Sequence, residues 1–192
     1  MKNVKRVAVY CGSAPGSDPM FADATCATAA AMAGCGVDLV YGGGRLGLMG
    51  LIADSVLERG GKVYGVIPAA LVDLEVAHTG LTELFRVANM HERKAKMTDL
   101  ADAFIALPGG IGTLDELFEA WSWNALGYHA KPFCLLNVGG FWDGLITFMD
   151  DVTKSGFLSA SRRQQLLVAT TPEEALELLD EAAGRATQGM VW

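Results

Sequence analysis

The run Ala103-Phe104-Ile105-Ala106-Leu107 carries no charge and no polar alternation, which fits a strand covered on both faces, as in a parallel sheet. It leads at once into Pro108-Gly109-Gly110-Ile111-Gly112-Thr113-Leu114-Asp115-Glu116, a stretch that turns from strand through a glycine loop into helix. Leu114, Leu117, Phe118 and Trp121 then recur at helical spacing and form one apolar stripe, with Glu116 on the opposite side. A strand buried on both faces needs helices above and below it.

The rest of the chain supplies them. Val4 to Tyr10 and Val37 to Tyr41 read as further short strands, and each runs into glycine, at Gly12 and at Gly42 to Gly44. Lys62 to Ile67, Leu84 to Val87, Pro132 to Asn137 and Leu167 to Thr170 are the remaining strands. Helices are expected from Asp18-Pro19 to about Ala33, up to about Arg59, from Asn89 to Ala101, from Thr113, from Trp142 to about Ser155, and from Pro172. The segment Ala69 to Glu83 has weak periodicity and is expected to be loop with one helical turn. Strands alternating with helices imply a doubly wound parallel α/β sheet with helices on both faces and a ligand site beyond the C-terminal strand ends. One domain over residues 1–183 is expected, with a frayed tail from Gly184.

Composition narrows the partners. A chain of 192 residues with 51% apolar content buries a sizeable core unaided. Its net charge of −7 argues against bulk binding to nucleic acid or to an anionic membrane. Cys11, Cys26, Cys35 and Cys134 lack metal-binding spacing, and His78, His91 and His129 are scattered, so reduced thiols, no metal and a cytoplasmic setting are expected. The apolar run Val7 to Cys11 is too short for a signal-peptide core.

Glycines opening a helix let backbone N–H groups approach an anion, and the helix dipole adds positive potential. The Gly109–Thr113 stretch is therefore a phosphate-sized site with the Glu116 carboxylate beside it. Thr113-x-x-Glu116 also has the spacing of a capping box. In Met90-His91-Glu92-Arg93-Lys94, two cations stand in a first helical turn, where the dipole disfavours them; either an anion compensates or the face is solvated, with Glu92 pairing to Lys96. Gly42-x-Gly44-x-x-Gly47 matches a dinucleotide fingerprint, but the place of its acidic residue is held by Ile67 and Pro68. Close approach to a smaller phosphate ligand is the better reading of those glycines.

Pro108-Gly109-Gly110-x-Gly112-Thr113-x-x-Glu116 together with Met90-His91-x-Arg93-Lys94 resembles the paired signature of the Lonely Guy (LOG) family of cytokinin riboside 5′-monophosphate phosphoribohydrolases. Val9-Tyr10-Cys11-Gly12-Ser13, Tyr41-Gly42-Gly43-Gly44, Gly47-Leu48-Met49-Gly50 and Leu135-Leu136-Asn137-Val138 match further blocks in the same order. The resemblance implies a Rossmann-like fold, a homodimer or larger assembly, and hydrolysis of the N-glycosidic bond of an adenine nucleotide without a cofactor. It assigns catalysis to Arg93 and Glu116. For the nucleotide it implies Glu75, Met90, Lys94, Gly109, Gly110, Ile111, Gly112, Thr113, Leu114, Asp115 and Ser122, with Gly12, Ser13, Gly43 and Gly44 at the other strand ends. Where relatives often carry Ser, Arg45 stands, either exposed or adding a phosphate contact. The rival is a carrier that binds without cleaving, similar to molybdenum cofactor carriers.

Overall fold

A computed structural model describes residues 1–72 and 76–188. Seven strands form one sheet: β1 (Arg6–Tyr10), β2 (Asp38–Tyr41), β3 (Val63–Pro68), β4 (Glu83–Val87), β5 (Ala103–Ala106), β6 (Phe133–Leu136) and β7 (Leu166–Ala169). Their spatial order is β4-β3-β2-β1-β5-β6-β7, and every pairing is parallel. The order reverses between β1 and β5, which places a crevice beyond Tyr10 and Ala106.

Every strand but β3, which is followed by a short 3-10 turn at Ala69–Leu71 and then by β4, feeds a helix across one face. The helices are α1 (Pro19–Gly34), α2 (Gly47–Glu58), α3 (Met90–Leu100), α4 (Ile111–Ala125), α5 (Asp143–Lys154), α6 (Ala160–Gln164) and α7 (Pro172–Gln188). Alternate residues of β1 face opposite layers, as the period of a strand requires. Val7 and Val9 pack with Met32 of α1, Ile52 of α2 and Leu179 of α7, whereas Ala8 and Tyr10 pack with Met97 of α3 and Leu117 and Trp121 of α4. This is the three-layer architecture expected from the charge-free strands. No helix among the described residues is long and apolar enough to cross a membrane.

Local chemistry sets the helix starts. Asp18 caps α1 by accepting the Met20 N–H at 2.9 Å, with Pro19 in the first turn. Asn89 caps α3 through the Glu92 N–H, also at 2.9 Å. The capping box at Thr113 and Glu116 is not formed. Here α4 begins at Ile111, its N-cap is Gly110, and no side chain caps it. Thr113 and Glu116 therefore both lie inside the helix, past the cap. At the other end of the chain, α7 runs on through Gly184 to Gln188. A Cβ at Gly184 would stand 2.8 Å from Asn3 Nδ2, so this glycine serves close packing and does not end the helix.

Candidate active site

Three strand ends meet at the crevice. The Gly12 N–H donates to the Pro108 carbonyl at 3.1 Å, while the Gly12 carbonyl accepts the Leu48 N–H at 3.0 Å, so the loop after β1 is tied both to β5 and to α2. Above them opens a cavity of about 340 Å³. Cys11, Gly12 and Ser13 line it from β1, Met49 from α2, Leu71 from the loop after β3, and Met90 and Arg93 from α3. Gly110, Ile111, Gly112, Thr113, Asp115 and Glu116 close it from α4.

The α4 wall is suited to an anion. Intrahelical bonding begins with the Leu114 N–H donating to the Gly110 carbonyl, so the N–H groups of the first turn, 111–113, lie ahead of the helical ladder. Thr113 is 3% exposed, and among the described residues its Oγ1 has no hydrogen-bond partner. A buried hydroxyl left in that state costs about 1–3 kcal/mol. Gly109 makes room for it, because a Cβ there would collide with Thr113 Oγ1. Gly110 and Gly112 have nothing within 4 Å of an added Cβ and leave the approach open.

Arg93 enters from the opposite wall. It is 4% exposed, its Nη2 donates to the Gly42 carbonyl at 3.1 Å, and its Nη1 lies 3.7 Å from Met90 Sδ. A Cβ at Gly42 would overlap Arg93 Nη2, so a larger residue there would have to push the guanidinium aside. Glu116 is half-buried across the same cavity. Its charge is felt beneath it: burial first, and then Glu116, pushes the Cys11 thiol far above its ordinary range. Burial, then Glu116 and Glu119, does the same to Tyr10. The carboxyl groups of Glu116 and Asp115 are the acidic side chains that line the space.

Lys94 is accounted for differently. Its Nζ stands 3.1 Å from Asp115 Oδ2 and 3.1 Å from Glu119 Oε2, bridging α3 to α4. Partial burial works against the charge, but hydrogen bonds to Glu119 and Asp115 outweigh it and hold the lysine above its ordinary pKa. These carboxylates are the anions that compensate the cation in the first turn of α3. Leu114 lies on the stripe facing the core.

The structure brings Gly12, Ser13, Met90, Arg93, Glu116 and the 110–113 turn into one cavity. It does not bring Gly43, Gly44 or Ser122 there. Gly43 and Gly44 are buried behind Arg93; the Gly43 carbonyl accepts the His78 N–H at 3.0 Å, and Gly44 pairs with Ala77. Ser122 lies on the outer face of α4, in a groove with Phe118, Trp121 and Phe157. Arg45 is exposed, and Glu75 lies outside the described residues. Sequence reading missed Cys11, Met49 and Leu71 as cavity walls and Gly42 as the seat of Arg93. The position of Gly42, directly after β2 and before two more glycines, is the signal that was available. No group of three or more His, Cys, Asp or Glu placed to hold a metal occurs among the described residues.

Fold and cleft together define a single-sheet Rossmann-like α/β protein whose cleft is walled by the open N-terminus of a helix. Comparison with known proteins carries this further. The model of the family described as possible lysine decarboxylase matches residues 49–179. The rice (Oryza sativa subsp. japonica) cytokinin riboside 5′-monophosphate phosphoribohydrolase LOG is 45% identical over 98% of this chain and 78% of its own. A further rice protein, named a probable enzyme of that kind, is 44% identical over 98% of this chain and 90% of its own. The chain belongs to the LOG family of cytokinin riboside 5′-monophosphate phosphoribohydrolases. Among solved structures, the molybdenum cofactor carrier protein of Chlamydomonas reinhardtii superposes with a TM-score of 0.71 at 17% identity, over 93% of this chain and 98% of that one. That likeness is one of fold.

Proposed function

We propose that the protein hydrolyses the N-glycosidic bond of adenine-type nucleoside 5′-monophosphates, with cytokinin riboside 5′-monophosphates and AMP as the substrate class, to free base and ribose 5-phosphate. Membership of the LOG family supports the reaction. The observation that carries the site is that Arg93 and Glu116, on different helices, line one cavity with the open first turn of α4. In this reading the phosphate rests on the N–H groups of 111–113 and on Thr113 Oγ1, which supplies the partner that hydroxyl lacks. Gly12 and Ser13 close the phosphate end, and Met90 lies against the nucleoside.

Cleavage of the ribose C–N bond places positive charge on the sugar ring. The Glu116 carboxylate stabilises that charge and orients and deprotonates the attacking water. The bond electrons leave with the base, which takes up a proton; water oxygen joins the sugar. Arg93, held by the Gly42 carbonyl, fixes the sugar phosphate in register. Lys94 contributes by locking α3 to α4 and by adding positive potential near the phosphate. No metal or organic cofactor enters this scheme.

Two further elements belong to the proposal. The exposed Phe157, Leu126 and Tyr128 at the outer end of α4 and beyond α5 favour a homodimer. Four free cysteines favour the cytoplasm.

The decisive experiment is chromatographic detection of free base and ribose 5-phosphate after incubation of AMP and of N6-isopentenyl-AMP with wild type and Glu116→Gln. Base release by the wild type, reduced by about 10² to 10⁴-fold in the variant, is expected. A variant at near-full rate removes Glu116 from the mechanism. Stoichiometric binding by the wild type with no release points to a carrier.

A further inference from the structure

The connection 76–80 is secured by more bonds than a surface turn needs, and they lead to Arg93. His78 is 5% exposed. Its Nδ1 accepts the Gly80 N–H at 3.0 Å, which puts the ring proton on Nε2, 2.9 Å from Asp54 Oδ1 of α2. Its own N–H donates to the Gly43 carbonyl at 3.0 Å. Beside it Ala77 pairs with Gly44, and the Arg45 N–H donates to the Val76 carbonyl at 3.1 Å. Val76 has φ 47°, a left-handed conformation that a β-branched residue holds only when its surroundings impose it. One residue before Gly43 is the carbonyl of Gly42, the acceptor for Arg93 Nη2.

We propose that His78 is a positioning residue for the hydrolysis. Clamped by Asp54 on one ring nitrogen and by Gly80 on the other, it fixes the Gly42–Gly44 loop and so aims the Gly42 carbonyl that holds the Arg93 guanidinium. The inference rests on the reading that Arg93 acts on the nucleotide. Neither His78 nor Asp54 lines the cavity, so their effect on turnover runs through this loop. A misplacement of the guanidinium by a fraction of an ångström is enough to slow a step that depends on register.

Asp54 offers a clean test because its side chain is 50% exposed and its loss leaves no buried charge behind. Asp54→Ala removes the acceptor, whereas Asp54→Asn keeps one, its amide Oδ1 accepting the same Nε2–H. Two quantities are measured: amide hydrogen exchange at His78, and turnover of AMP to adenine and ribose 5-phosphate with kcat and KM separated. In Asp54→Ala, exchange at His78 should quicken by about tenfold, while the thermal midpoint falls by only a few degrees because the Nε2–H of a nearly buried ring loses its acceptor. With it kcat should fall about tenfold while KM stays within about twofold. Asp54→Asn should restore both, and in an Arg93→Lys background Asp54→Ala should add little further loss. Unchanged exchange in Asp54→Ala, or faster exchange with unchanged kcat, overturns the proposal while leaving the hydrolase intact. A wild type that releases no base defeats the hydrolase reading itself, a result no Asp54 variant can mimic.

Discussion

The loops after β2 and β5 are both rich in glycine, yet their glycines do opposite work. After β2, the space beside Gly42 is taken by Arg93, that beside Gly43 by Ile67, Val66 and Leu84, and that beside Gly47 by the Ser13 backbone. After β5, only Gly109 is filled, by Thr113, while Gly110 and Gly112 face open space. The first loop admits the protein's own groups; the second leaves room for a guest. A glycine pattern in sequence thus reports close approach without saying what approaches.

The largest effect should come from filling the crowded loop. Gly42→Ala must displace Arg93, so kcat/KM for AMP should fall by about 100-fold, with a stability loss of about 1–3 kcal/mol in urea unfolding from overpacking. A variant with full activity would show that the Gly42 carbonyl is not the seat of Arg93. Filling the open loop should separate the two properties. Gly112→Ala lies within a helix, where alanine is favoured by up to about 1 kcal/mol, so the thermal midpoint should hold or rise while the KM for AMP increases several-fold. A fall in both stability and affinity would mean that the space is not open.

Thr113→Val sharpens the contrast further. Its hydroxyl has no hydrogen-bond partner among the described residues, so the isosteric methyl should leave stability unchanged or raise it by about 1 kcal/mol, yet weaken AMP binding. Unaltered binding would take the hydroxyl out of the phosphate cradle. The smallest effect lies behind β5, where His129 packs on Phe104 with ring centroids 5.5 Å apart. Burial, then Lys131, lowers its pKa from 6.5 to about 4. The unfolded chain therefore takes up a proton before the folded one, and stability should decline as pH falls from about 6.5 to about 4. In His129→Gln, the urea midpoint should lose part of that slope; an unchanged slope would assign it to other groups.

The sheet was legible because its strands carry their burial in plain composition: Ala103–Ala106 and Phe133–Leu136 hold no polar group and are buried throughout. Helix α6 was not, since five residues with two arginines show no period. Thr113-x-x-Glu116 misled because a capping box is a spacing, and spacing does not fix where the first turn begins; glycine let α4 start earlier. The compensating anions for Lys94 sit on another helix, out of reach of any local reading. The motif singled out Arg93 and Glu116, which line one cavity, and the same motif could not reveal that Gly42 holds the arginine or that Ser122 faces an outer groove.

The parallel pairing of β1 with β5 also sets an order of events during synthesis. Val7 to Tyr10 pair on one edge with Ala103 to Ala106, and Asp102 accepts the N–H groups of Lys5 and Arg6 at 2.8 and 2.9 Å. Until that distant strand leaves the ribosome, β1 can pair only with β2, and its other edge stays bare. The crevice between β1 and β5 therefore does not exist in the nascent first half of the chain. The open first turn of α4 meets the other strand ends only once the centre of the sheet has closed.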